Sequence, residues 1–242
     1  MAYEPRIYRY SGARHDDLVA VEVCVLETDL LVLAKTDLSA EARQLVVGAR
    51  RDLEAFIARA PRFAESWVPV EVPVDAAQIV RAMADAAALA GVGPMAAVAG
   101  AMAEHVARGL APHTSEVIVE NGGDDFLVLE KERIVGIEAG ASPLSGKVGL
   151  RIAPGATPLG VATSSGTVGP SVSLGRADAV TILAASGALA DAVATAAGNV
   201  VRGPADIDAG LATGRGVRGV LGVVIIAGDA MGVWGDVDLV RL

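Results

Sequence analysis

The chain has 242 residues, a formal charge of −9, 52% hydrophobic residues and only 3% aromatic ones. That length can bury a substantial core, and the core has to be built from Ala, Val, Leu and Gly rather than from rings. The acidic balance excludes a phosphate-backbone binder, which needs a basic surface, so no nucleic-acid partner is expected; the sole cysteine, Cys24, leaves no intrachain disulfide and no cysteine-based zinc cluster.

The opening "MAYEPRIYRYSG" has no apolar core of the signal-peptide kind, and a cytoplasmic protein is expected. "LVAVEVCVLETDLLVLAKT" holds two apolar stretches around Glu27-Thr28-Asp29 and reads as a β-hairpin. Thr36, Asp37 or Ser39 is placed to cap the helix that follows. Leu38, Ala42, Leu45, Val46, Leu53, Phe56 and Ile57 share one face of it, and Pro61 ends it. "VPVEVPV" reads as extended or edge-like because of Pro69 and Pro73. Asp75 is expected to cap a helix to about Ala90, and Pro94 to open another ending near Gly109. The run from Ala76 to Ala103 carries Arg81 and Asp85 and is broken by "GVGPM". It therefore reads as two helices of a soluble protein, with no membrane partner.

Beyond this point strands dominate. "SEVIVENGGD" is a strand entering a turn, "FLVLEKERIVGIEAG" reads as a second hairpin, and "GKVGLRIAP", "LGVATSS" and "ADAVTILAA" as further strands. Ser186 or Gly187 opens a helix to about Val200, "GPADIDAGLA" makes a short one, and "GVLGVVIIAG" and "GVWGDVDLVRL" close the chain as strands. Neighbouring strand pairs with helices between them indicate an α+β fold. The whole chain, 1–242, reads as one domain, with structural halves dividing near residue 110.

"GRGVRG" at Gly214 to Gly219 matches the letters of a dinucleotide fingerprint but follows a helix and precedes a strand, the reverse of the order such a site needs. His15, His105 and His113 have no metal-ligand spacing. Three segments have chemistry to offer. Glu120, Asn121, Gly122, Gly123 and Asp124 form a glycine-rich turn after a strand; the glycines permit positive φ, so amides or a carboxylate can approach a ligand, although a plain β-turn has the same composition. Thr163, Ser164, Ser165, Gly166 and Thr167 make a hydroxyl-rich loop able to hold phosphate, or simply a polar turn. In "LADAVATAAGN", Asp191 and Thr195 are four residues apart and share one helix face, where carboxylate and hydroxyl can supply two oxygens to Mg²⁺ or merely face water. The earlier "ADAV", with Asp178, precedes a strand and reads as a turn residue.

These segments, with "VAGAMAEHV", "SPLSGKVGLRI", "GVATSSGTVGPSVSLGRADAV" and "GDAMGVWGDVDLV", resemble the ApbE-like superfamily of FAD:protein FMN transferases, and most closely a smaller branch of it. The resemblance runs from about Gly93 onward. It implies an ApbE-like fold of two tandem T-fold-like halves, with antiparallel sheets and helices packed on one side. It also implies that Asp191 and Thr195 match divalent-metal ligands, with Mg²⁺ as cofactor, and that the turn at 120–124 and the loop at 163–167 border a flavin such as FAD. Two features depart from the transferases. Ala99 stands where their KG pair has lysine, before Gly100 and Glu104, and "VGPSVSLGRAD" replaces their His-Ile-x-Asp-Pro segment.

The expected ligand is thus a flavin or related nucleotide diphosphate, with FMN transfer itself set against the missing lysine. A second reading is an enzyme of one-carbon cofactor synthesis (tetrahydromethanopterin or methanofuran). There Glu104, Glu120 or Asp124 would recognise the guanidine-like edge of a pterin. A third is a non-catalytic binding protein, assembled as a homo-oligomer through its small-residue helices.

Overall fold

The computed structural model describes residues 15–166 and 174–242. The first hairpin is β1 (Val19–Val25) and β2 (Thr28–Ala34), as its alternation requires. Four helices follow: α1 (Ser39–Arg59), the single turn α2 (Arg62–Glu65), α3 (Gln78–Ala90) and α4 (Val98–Leu110). α1 buries Ala42, Val46, Ala49, Leu53 and Phe56. At its start Asp37 accepts the Ser39 amide at 2.9 Å while Leu38 occupies the cap position. Asp75 is not the cap of α3: that helix begins three residues later, with Ala77 at the cap position and no side-chain bond there. Pro94 opens a 3₁₀ turn that leads into α4. The "VPVEVPV" stretch is irregular and in neither sheet.

The remaining elements are β3 (Val117–Glu120), β4 (Asp124–Val128), β5 (Arg133–Gly136), β6 (Val148–Ile152), β7 (Leu159–Ser164), β8 (Ala179–Ala184), α5 (Gly187–Val200), α6 (Ile207–Arg215), β9 (Val220–Ala227), β10 (Ala230–Gly235) and β11 (Leu239–Arg241). Among the described residues, eight strands form one antiparallel sheet in the order β1-β2-β3-β4-β7-β8-β9-β10, and β11-β6-β5 form a second. Two strands, helices, then two strands occur twice along the large sheet: β1-β2, α1–α4, β3-β4, and β7-β8, α5-α6, β9-β10. The units meet where β4 pairs with β7, so residue 110, where the sequence suggested a division, lies inside the first unit at the end of α4.

Helices cover one face of the large sheet, where Val32, Val119, Phe126, Ile182 and Val223 meet Val46, Met83, Val106 and Val193. The small sheet covers part of the other face, where Ile118, Leu127, Val161, Leu183 and Val224 meet Ile137, Leu150 and Ile152. Central strands are therefore buried on both sides, which is why "VIV" is wholly apolar and "AVTILA" has a single polar residue, the buried Thr181.

The expected hairpin "FLVLEKERIVGIEAG" is not one. β4 pairs with β3 and β7, whereas β5 leaves for the second sheet and pairs with β6. A partly buried ionic cluster sits at the start of β5: Arg133 forks onto Glu116 at 2.7 and 2.8 Å, binds Asp17 at 2.7 Å, and Lys35 reaches Glu116 at 2.9 Å. The closing "GVWGDVDLVRL" likewise splits between the sheets, as β10 and β11.

No single helix among the described residues is long and apolar enough to cross a membrane; α3 and the segment after it meet at 104° and bury their apolar residues. Gly48, inside α1, has open space where a Cβ would stand. Gly48→Ala is expected to raise stability by about 0.5–1 kcal/mol, read as a higher urea midpoint; a lower midpoint would contradict that surrounding space.

Candidate functional site

The site lies where α4 and α5 cross over the β4–β7 seam. Their contact is backbone to backbone. A methyl group on Gly100 would overlap the Gly187 carbonyl and stand 2.8 Å from Asp191 Cβ, and one on Gly160 of β7 would stand 2.6 Å from Gly187 Cα. Only glycine at these positions lets the helices and strand approach this closely.

The first-turn amides of each helix lack intrahelical acceptors, and each helix here supplies a carboxylate to the other. Gly100 N–H donates to Asp191 Oδ2 at 2.9 Å, and Gly187 N–H donates to Glu104 Oε2 at 2.8 Å. Ser186, the cap of α5 as its sequence suggests, donates its hydroxyl to the same Glu104 oxygen at 2.9 Å and accepts the Leu189 amide. Arg108 binds the other oxygen at 2.7 Å and lies over the Phe126 ring. Glu104 is thus occupied within the protein, which corrects the expectation that it could recognise a ring edge.

The glycine-rich turn joins this crossing from below. Gly122 and Gly123 have φ of 72° and 99°, so the tight turn needs glycine. Glu120 Oε1 accepts the Gly123 amide at 2.9 Å, Asn121 Nδ2 donates to the Ala99 carbonyl at 3.2 Å, and the Thr163 amide donates to the Gly123 carbonyl at 3.0 Å. The turn is therefore stitched to α4 and β7 together. Asp124 is buried directly after it.

Along α5, Asp191, Thr195 and Asn199 form a partly exposed stripe between buried alanines. Ser164 Oγ lies against Gly198 on that helix, and Asn199 Oδ1 accepts the Leu174 amide at 3.0 Å from the far side of the hydroxyl loop. Thr163 and Thr181 share a hydrogen bond at 2.9 Å. Ser165 is half-buried, the Gly166 amide donates to the Ala177 carbonyl at 2.9 Å, and Thr167 lies outside the described residues. Asn199 and Thr181 were not singled out from sequence, although Asn199 continues the i, i+4 spacing of Asp191 and Thr195. Asp178, in the other "ADAV", accepts the Gly228 amide at 2.7 Å and so holds the β9–β10 turn. His105 and His113 line a shallow groove on the α1 side of α4.

Of the carboxylates at the crossing, Glu104 is paired with Arg108, whereas Asp191 is met by backbone amides. Burial pushes the Asp191 carboxyl up to about 7, against the pull of the Gly100 and Ala99 amides, although its surface stays partly open. Asp124 is pushed well above the usual carboxylate range, first by burial and then by the negative charges of Asp191, Asp125 and Glu120. Asp191's negative charge is one of the influences that keep Asp124 protonated, and the Thr195 hydroxyl follows Asp191 one turn along α5. Among the described residues no three His, Cys, Asp or Glu side chains come together as a metal site, so the oxygens on offer are the Asp191 carboxylate and the Thr195 hydroxyl.

A model of the family described as "AbpE bacteria" matches residues 12–216. A UPF0280 protein of Methanocella arvoryzae is 42% identical over 212 residues, covering 87% of this chain and 86% of the relative. A UPF0280 protein of Methanoculleus marisnigri is 47% identical over 196 residues, covering 81% and 79%. Among solved structures, the flavin transferase ApbE from Vibrio cholerae superposes with a TM-score of 0.57 at 13% identity, over 90% of this chain and 96% of that one. The ApbE protein from Thermotoga maritima gives 0.57 at 13%, over 89% and 96%. At such identities the likeness is one of fold, and it matches the α+β architecture of antiparallel sheets and helices described above. The chain belongs to the ApbE-like family described as "AbpE bacteria", with the UPF0280 proteins among its relatives.

Proposed function

We propose that this protein is a Mg²⁺-dependent enzyme that binds a flavin or related nucleotide diphosphate at the α4–α5 crossing. The observation that carries the proposal is Asp191, a carboxylate desolvated at the crossing whose negative charge also raises the buried Asp124, with Thr195 one turn further along the same helix face. Asp191 and Thr195 would hold the cation, with Asp124 adding negative charge nearby. Ser164, Ser165 and the following Thr167 would hold phosphate oxygens together with backbone amides. Bound Mg²⁺ would neutralise the diphosphate, and the chain's own residues would orient it. The structural neighbours from Vibrio cholerae and Pseudomonas stutzeri are a flavin transferase and a flavinyl transferase, which supports a flavin as the ligand class. The proposal stops short of FMN transfer: Ala99 occupies the lysine position, so no ammonium from that residue reaches a diphosphate.

Calorimetric titration of FAD, FMN and a reduced pterin, with and without Mg²⁺, tests this. FAD is expected to bind only with Mg²⁺, and Asp191→Asn to weaken that binding at least about tenfold. FAD affinity indifferent to both changes would sink the proposal. One observation favours a pterin reading: Asp124 is a buried carboxylate of the kind that can pair with a guanidine-like edge, although the Thr163 backbone already bonds it; Glu104 is fully engaged and Glu120 bonds its own turn. Pterin binding without FAD binding would favour that reading.

A further inference from the structure

Gly100 and Glu104 stand one turn apart on α4, and Gly187 and Asp191 one turn apart on α5. The helices exchange bonds between these pairs, each glycine amide reaching the other helix's carboxylate. The two carboxylates have different surroundings. Both oxygens of Glu104 are engaged, by Ser186, Gly187 and Arg108, while Asp191 is half-buried and accepts the Gly100 amide through Oδ2. The glycine contact permits close approach, but smooth backbone has little directional preference along the helix axis. The hydrogen bonds at Glu104 supply that direction, and a carboxylate at a helix N-terminus is favoured by the helix dipole as well.

We infer that Glu104 is a positioning residue: by gripping the first turn of α5 through Gly187 and Ser186, it sets the register that places Asp191 against the Gly100 amide. Its relevance to function rests on the reading of Asp191 as the cation-binding carboxylate. The placement of the Gly100 amide against Asp191 can be read without any ligand.

That readout is the Gly100 amide, followed by ¹⁵N-resolved hydrogen exchange in Glu104→Ala and Glu104→Gln, with the Ile225 amide of β9 as the reference for global opening. In Glu104→Ala, Gly100 is expected to exchange about tenfold faster than in the native chain while Ile225 is unchanged. Glu104→Gln keeps a carbonyl oxygen for the Gly187 amide and is expected to restore most of the protection. Mn²⁺ titration by electron paramagnetic resonance supplies the functional arm, with Glu104→Ala weakening Mn²⁺ binding about tenfold and Glu104→Gln much less. Unchanged Gly100 exchange in Glu104→Ala would overturn the inference. Equal acceleration at Gly100 and Ile225 would do so too, since it would make Glu104 a general stabiliser. If the native chain binds no Mn²⁺, the proposed function fails, and the Gly100 arm still decides the role of Glu104.

Discussion

Asp191→Asn is expected to make the metal-free protein more stable at pH 8 and to change nothing at pH 3. Burial lifts the folded-state carboxyl from its ordinary 3.8 to about 7. The folded chain then binds the Asp191 proton more tightly than the unfolded chain does. The stabilising share of this group is complete below about pH 4 and is lost as pH rises to 7. The interval corresponds to roughly 4 kcal/mol at most, and the partial exposure of the side chain brings the expected effect to on the order of 2 kcal/mol. For a chain of this length that is a rise of about 4–8 °C in Tm. Asparagine keeps an oxygen for the Gly100 amide, so the comparison isolates charge. Mg²⁺ should then raise the Tm of the native chain at pH 8 and leave the variant unmoved. Scanning calorimetry at pH 3, 5 and 8 reads the result, and a variant less stable than the native chain at pH 8 would refute the buried, uncompensated charge.

Gly100→Ala is expected to destabilise the fold by about 3 kcal/mol, seen as a drop of about 6–12 °C in Tm. The added methyl meets the Gly187 carbonyl and Asp191 Cβ, and the first of these is backbone that cannot turn aside. Relief requires α4 and α5 to separate, which stretches both the Gly100–Asp191 and Gly187–Glu104 bonds. The substitution should therefore weaken Mg²⁺-linked stabilisation as well as Tm. Its contrast is Gly48→Ala, the same chemical change in a helix with room for it. A mild effect at Gly100 would mean that the crossing is looser than these contacts require.

Much of the local structure can be read from the chain directly. The alternation in "VAVEVCV" and "TDLLVLA", the capping serine before "GALADAVATAAGNV", and the proline opening the segment before α4 each act through near neighbours. Strand, helix and boundary follow from them without reference to distant residues. The four-residue spacing of Asp191 and Thr195 also shows that they share a face, because helical geometry alone determines it.

Pairing partners are a different matter. "FLVLEKERIVGIEAG" has the alternation of a hairpin, yet its second strand joins another sheet, where it pairs with β6 and Val135 packs on the core of Ile137, Leu150 and Ile152. The site divides in the same way. The sequence marked Glu104, Glu120, Asp124 and Asp191 as carboxylates in suggestive settings but could not rank them. Their roles depend on which backbone amides reach each one, and those amides come from residues up to 91 positions away. The sequence by itself determined the element types, the amphipathic faces and the stripe on α5, since these depend on backbone geometry and side-chain period. Only the tertiary structure decided that Glu104 is occupied by Gly187, Ser186 and Arg108 while Asp191 meets backbone amides without a cation. Desolvation and hydrogen-bond satisfaction are properties of a three-dimensional neighbourhood that sequence spacing does not encode.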